Sequence, residues 1–135
     1  MKLTTWNIRG LGSKRKQRNI VNKIKEEKPD MVFIQETKWL VEKIWDIHCK
    51  WLNNYEYLEV KASNTSGGIL TLWNPKKFEI TDAEASRNRL PIVIQPLGDK
   101  YCYLTTNVYG PQLLEAKLNL LTSLDELKER HPIIP

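Results

Sequence analysis

The sequence is short of the residues that usually mark a metalloprotein or a secreted protein. It has two cysteines, Cys49 and Cys102, far apart and outside any Cys-x-x-Cys spacing. That argues against a zinc site or a disulfide framework, and two reduced, partly buried thiols are expected instead. Histidine is equally scarce. His48 has no second ligand at helical spacing and so reads as a surface or core residue rather than a metal ligand. No apolar run exceeds a few residues, and the N-terminus carries a Lys and a Thr-Trp-Asn strand where a signal peptide needs an apolar core. Neither membrane insertion nor secretion is supported, and an intracellular chain is expected. Repeats, low-complexity tracts and interdomain linkers are also missing. With 135 residues, 41% hydrophobic and 27% charged, the composition is that of at most one soluble globular domain.

What the chain does have is a basic bias and an ordered N-terminal stretch. Net charge is +5 and the sequence pI about 9.2, a modest leaning towards polyanions. Four of the cations, Lys14, Arg15, Lys16 and Arg18, crowd the start of a helix that should run from the turn at Gly10 and Gly12 to Lys28, where Pro29 stops it. Cations at a helix N-terminus oppose its macrodipole, which tilts their reading towards phosphate binding, although any surface helix can carry such charges. Ile20, Val21 and Ile24 supply its apolar face. On either side, residues 2–7 and 31–34 read as strands, the second an unbroken apolar run suited to burial on both faces. Together they predict a β-α-β unit with parallel strands. Asn7 and Glu36 then fall at the carboxyl ends of its strands, where open α/β sheets bind ligands. One acid beside amide and phosphate oxygens suits Mg²⁺, which keeps most of its waters. The same spacing fits a turn-forming Asn and a solvated strand end equally well.

Further along, residues 40–51 place Leu40, Val41, Ile44, Ile47 and Trp51 at helical spacing. Strands are expected at 55–61, 69–73, 78–80 and 91–94, linked as a meander, and at 101–109. In the last of these Tyr101, Tyr103, Thr105, Asn107 and Tyr109 share one face. Taken alone, a strand-end tyrosine such as Tyr109 also fits the edge of a core. After Pro111, a leucine-rich stripe from Leu113 to Leu127 predicts a last helix packed on a sheet.

Three segments carry a family resemblance: Trp6-Asn7-Ile8-Arg9-Gly10-Leu11, Ile34-Gln35-Glu36-Thr37-Lys38 and Asn107-Val108-Tyr109-Gly110-Pro111-Gln112, with Ser66-Gly67-Gly68-Ile69 as a weaker fourth. They resemble motifs of the endonuclease/exonuclease/phosphatase superfamily, and in particular the endonuclease domain of plant LINE-type retrotransposons. The resemblance implies an α/β (α+β) fold, a partial two-sheet β-sandwich flanked by helices, and Mg²⁺-dependent (or Mn²⁺-dependent) nicking of DNA in the nucleus. It makes Asn7, Glu36 and Tyr109 the catalytic residues: metal ligation by Glu36 together with Asn7, which also orders the site by hydrogen bonding, and a phosphate contact from Tyr109. Arg9, Lys14, Arg15, Lys16, Arg18 and Gln112 would meet the nucleic acid. Gln112 stands where Asn is more frequent, and Arg9 where abasic endonucleases have an additional metal-coordinating acid. The family's Gly-Asp-x-Asn motif and its late general-base His with Asp do not occur in these residues, and His131-Pro132 does not replace them. The expectation is therefore an incomplete domain, marginally stable and inactive alone. Alternatives are a catalytically dead nucleic-acid or partner-binding relic, and a phosphatase or deadenylase of the same superfamily.

Overall fold

The computed structural model describes residues 2–10, 13–38, 41–61, 67–86 and 89–108. The expected last helix, Leu40, Tyr109 and Gln112 lie outside them. The first strand, β1 (Leu3–Asn7), leads through Ser13 into helix α1 (Lys14–Glu27) and returns as β2 (Met31–Gln35). Ser13 is extended and its Oγ accepts the backbone N–H of Lys16, satisfying one of the unpaired donors of the first turn. The helix ends at Lys28, in the left-handed region at φ 49°, with its N–H on the carbonyl of Ile24, because Pro29 cannot continue it. β1 and β2 pair in parallel, with Asn7 opposite Gln35.

Helix α2 (Val41–Trp51) and strands β3 (Glu56–Val60) and β4 (Ile69–Trp73) complete the first sheet in the order β1-β2-β4-β3, β4 running antiparallel to both neighbours. The expected meander from 55 to 94 is thus broken. β4, not β3, pairs with β2, and after β4 the chain leaves the sheet. The carbonyl of Asn74 accepts Lys77 N and Phe78 N, and its side chain accepts Lys76 N, making a turn that delivers the chain to a second sheet. There β5 (Phe78–Ala83), β6 (Arg89–Pro96) and β7 (Tyr103–Val108) form a true antiparallel meander. Two sheets with flanking helices match the expected fold class.

Period-two alternation sorts the core into two layers. Val32 and Ile34 of β2 and Leu70 and Leu72 of β4 face Val21 and Ile24 of α1 and Ile44 of α2. Met31, Phe33, Ile69 and Trp73 face the other way, against Phe78, Leu90, Ile92 and Ile94 of the second sheet. The unbroken apolar β2 is buried on both faces for this reason. Each such side chain contributes about 1.5–3 kcal/mol through removal from water. Two expectations need correction. Trp51 does not close the apolar face of α2 but is 44% exposed, and Cys49 and Cys102 are exposed rather than partly buried. Both follow from α2 having only one side of a sheet to cover, and from Cys102 preceding β7 rather than lying in it. His48 donates its Nε2–H to the carbonyl of Tyr55 at 2.6 Å and packs on the Tyr57 ring, so it braces the end of α2.

Candidate functional site

The site is built where β1 and β2 end. Past Asn7 the chain turns sharply, with Arg9 at φ 51° and Gly10 at φ 103°, and the Arg9 N–H donates to Asn7 Oδ1 at 3.3 Å. This is the local side-chain to backbone bond that favours Asn in turns. Past Gln35 the chain bends again, with Glu36 at φ 56° and Lys38 at φ 54°. Three non-glycine residues held left-handed around one sheet end are a concentration of backbone strain, of order 1–3 kcal/mol each, of the kind that collects at functional sites.

Main-chain hydrogen bonds hold the two bends together. Ile8 N donates to the Gln35 carbonyl at 3.1 Å and Gly10 N to the Glu36 carbonyl at 2.6 Å. From the opposite side Thr37 N and Lys38 N donate to the carbonyls of Gly68 and Gly67 at the start of β4. Gly68 has no alternative here. A Cβ at that position would come within 2.1 Å of Thr37 Oγ1, and its φ of 95° disfavours any other residue. The glycine pair noted as a weak motif is therefore the clamp on the loop that carries Glu36.

Asn7 and Glu36 thus come to neighbouring strand ends, as the sequence implied. Asn7 is exposed and Glu36 half-buried, and among the described residues the Glu36 carboxylate has no hydrogen-bond or ion-pair partner. A free carboxylate beside an amide oxygen is an all-oxygen donor set that suits Mg²⁺ with water filling most positions. No group of three or more His, Cys, Asp or Glu side chains that could hold a metal is found among the described residues.

The basic cluster divides. Lys16 Nζ reaches back to the carbonyls of Ile8 and Arg9 at 3.2 and 3.4 Å, offsetting its unfavourable place at a helix start and bracing the loop after Asn7. Arg9 is exposed on that loop. Lys14 and Arg18, one helical turn apart, line a groove against α2 instead of the strand ends, and Arg15 is exposed. Tyr109 and Gln112 lie outside the described residues, but the strand that leads to them is anchored through Asn107. Asn107 of β7 is fully buried between the sheets. Its Nδ2 donates to the Leu70 carbonyl at 2.9 Å and to Thr71 Oγ1 at 3.2 Å, and its Oδ1 accepts Gln35 Nε2 at 2.8 Å. Gln35 also donates to Thr5 Oγ1 at 3.0 Å. This polar network ties the third motif to the second and, through Thr5, to the strand that leads into the first. Gln35 and Asn107 were not singled out as site residues from sequence. The available signal was a carboxamide on the core-facing side of each strand, where an apolar residue is the default.

The sequence profile described as the Endonuclease/Exonuclease/phosphatase family matches residues 4–133. No curated protein matches the chain at a significant level. Among solved structures, the chain is similar to D. rerio TDP2 complexed with a single-strand DNA product, with a TM-score of 0.68 at 16% identity over 98% of this chain and 55% of that one. It is similar to a mannosyl-6-phosphatase of Bacteroides thetaiotaomicron, with a TM-score of 0.72 at 11% identity over 98% of this chain and 62% of that one. It is also similar to the AP endonuclease of Leishmania major, with a TM-score of 0.65 at 20% identity over 95% and 46%. The chain spans between about half and three fifths of the length of these proteins.

Proposed function

Because the chain belongs to the endonuclease/exonuclease/phosphatase family, we propose that it is the N-terminal part of a LINE-type retrotransposon endonuclease that nicks DNA with Mg²⁺, and that these 135 residues do not cut alone. The observation that carries this reading is the placement of Asn7 and Glu36 at the ends of two paired strands, on loops bent left-handed at Arg9 and Glu36, with the Glu36 carboxylate without a partner among the described residues. In this reading Glu36 ligates the cation and Asn7 orders the first loop and lends an amide oxygen. Tyr109 holds a phosphate oxygen, with Arg9 and Gln112 along the nucleic acid. The cation, when bound, polarises the phosphoryl oxygen and stabilises charge on the leaving oxygen. No residue described here is placed to deprotonate the attacking water, and that task falls to groups outside the three motifs.

Nucleic acid is favoured over a small phosphate ester by the basic first turn of α1 beside the site, and by a structural neighbour that holds single-strand DNA. The test is plasmid nicking. The 135-residue protein is expected to leave supercoiled plasmid intact with Mg²⁺, whereas a longer chain containing a Gly-Asp-x-Asn segment and a late His cuts it and loses cutting on Glu36→Ala. Robust Mg²⁺-dependent cleavage by the 135 residues would overturn the claim of inactivity. An active longer chain indifferent to Glu36→Ala would overturn the site. DNA binding without cutting in the longer chain is the result expected of a catalytically dead binding domain.

A further inference from the structure

The groove between α1 and α2 has a volume of about 350 Å³ and is lined by Lys14, Gln17, Arg18, Asp46, Ile47, Lys50 and Trp51. Three cations face one acid there, and among the described residues none of Lys14, Arg18 and Lys50 has a hydrogen bond or ion pair. Three ammonium or guanidinium groups left unneutralised in one concavity repel each other and attract a polyanion. Trp51 adds a second kind of contact. Its indole is 44% exposed on the groove wall, since α2 covers the sheet with its other side. Cations interleaved with an accessible aromatic are how proteins hold single-stranded nucleic acid, with phosphates on the charges and a base on the ring.

We propose that this groove is a binding track for single-stranded nucleic acid, with phosphates on Lys14, Arg18 and Lys50 and a base stacked on Trp51. The proposal rests on the nucleic-acid reading above but concerns a surface outside the cation site. Its volume admits a group of nucleotide size and not a double helix, and only an unpaired strand offers a free base face to the indole. Asp46 weakens the attraction for a purely anionic peptide while offering an acceptor to a base N–H. The groove starts near the site, because Lys14 shares the first turn of α1 with Lys16, which holds the carbonyls of Ile8 and Arg9. A strand released at the rim therefore has a charged path along the helix pair.

The test is fluorescence anisotropy of the full chain with labelled oligothymidylate of roughly ten nucleotides, at several salt concentrations. Trp51→Ala is expected to weaken binding about tenfold and Trp51→Phe to restore most of it. Lys14→Gln, Arg18→Gln and Lys50→Gln together should flatten the salt dependence by about two in log–log slope, since each phosphate contact on a single strand contributes roughly 0.7. All four positions lie at the surface, so these variants keep the core intact. Wild-type binding that survives both the triple variant and Trp51→Ala overturns the track while leaving the nucleic-acid reading standing. A triple variant that weakens binding while Trp51→Ala does nothing reduces the groove to a plain basic surface and also overturns it. Displacement of the oligonucleotide by polyglutamate as readily as by more oligonucleotide points to an acidic protein and overturns it too. If the wild-type chain binds no strand even at low salt, the nucleic-acid reading itself falls.

Discussion

The first sheet is finished differently at its two ends. At the amino end, Asp30 accepts the Lys2 N–H at 2.8 Å and pairs with Lys77 at 3.2 Å, while its own carbonyl accepts the Asn74 N–H. The Lys2 N–H, and with it Lys77, holds the Asp30 carboxyl below its ordinary value of 3.8, against the opposing effect of its burial. The buried acid there is paired from two sides. At the carboxyl end Arg9, Glu36 and Lys38 are held left-handed, and the Glu36 carboxylate has no partner among the described residues. One end pairs its buried acid; the other gathers left-handed residues around an acid with no partner among the described residues, the kind of strain that collects at functional sites.

The contrast can be broken most strongly through the clamp. Gly68→Ala is expected to cost about 3 kcal/mol or more, since the added Cβ must displace Thr37 from a backbone that already disfavours it. Urea unfolding would show it, and a loss under 1 kcal/mol would mean that the loop carrying Glu36 is not clamped there. Next is the link between the sheets. Asn107→Leu removes the bonds to Gln35 Nε2, the Leu70 carbonyl and Thr71 Oγ1 from a fully buried position and should cost about 2–4 kcal/mol, again by urea midpoint. A near-neutral result would show that the network does not couple β7 to the site.

Asp30→Asn sharpens the comparison from the amino end. Its expected cost is about 1–2 kcal/mol near neutral pH. A carboxyl whose folded pKa is lowered stabilises the protein above its unfolded value, and that contribution disappears as pH falls through the folded value. The difference between wild type and Asp30→Asn should therefore be full above pH 4 and shrink in acid; a difference that grows on acidification would contradict the pairing. The smallest effect has the opposite sign. Glu36→Gly relieves a left-handed residue and should raise stability by about 1 kcal/mol while removing Mg²⁺ binding, measured by calorimetry on the same protein. Lower stability together with retained Mg²⁺ binding would place the acid at the wrong end of the comparison.

Much of this was legible in the letters. Unbroken burial of β2 follows from Met31-Val32-Phe33-Ile34, and the end of α1 from Pro29, because backbone sterics and two-sided burial are local demands. The neighbouring ends of Asn7 and Glu36 follow from a short parallel β-α-β unit. The order β1-β2-β4-β3 was not legible, since antiparallel β3 and β4 could have met β2 from either side, and the choice lies in packing against α1 and α2. Nor was the division of the basic cluster: residues 14 to 18 look like one patch in sequence, but a helix turns Lys16 away from Lys14 and Arg18. The roles of Gln35 and Asn107 stayed hidden because their partners lie more than seventy residues apart.

The bonds that fix the acid run from amide to carbonyl: Gly10 to Glu36, Ile8 to Gln35, Lys38 to Gly67. No side chain takes part in these three bonds, so they do not depend on the exposed Arg9 side chain, although its φ of 51° restricts which residues can stand there. Exchanging that arginine for glycine or asparagine, which tolerate its left-handed backbone, would change the face the rim presents to solvent while leaving the main-chain socket beneath it in place.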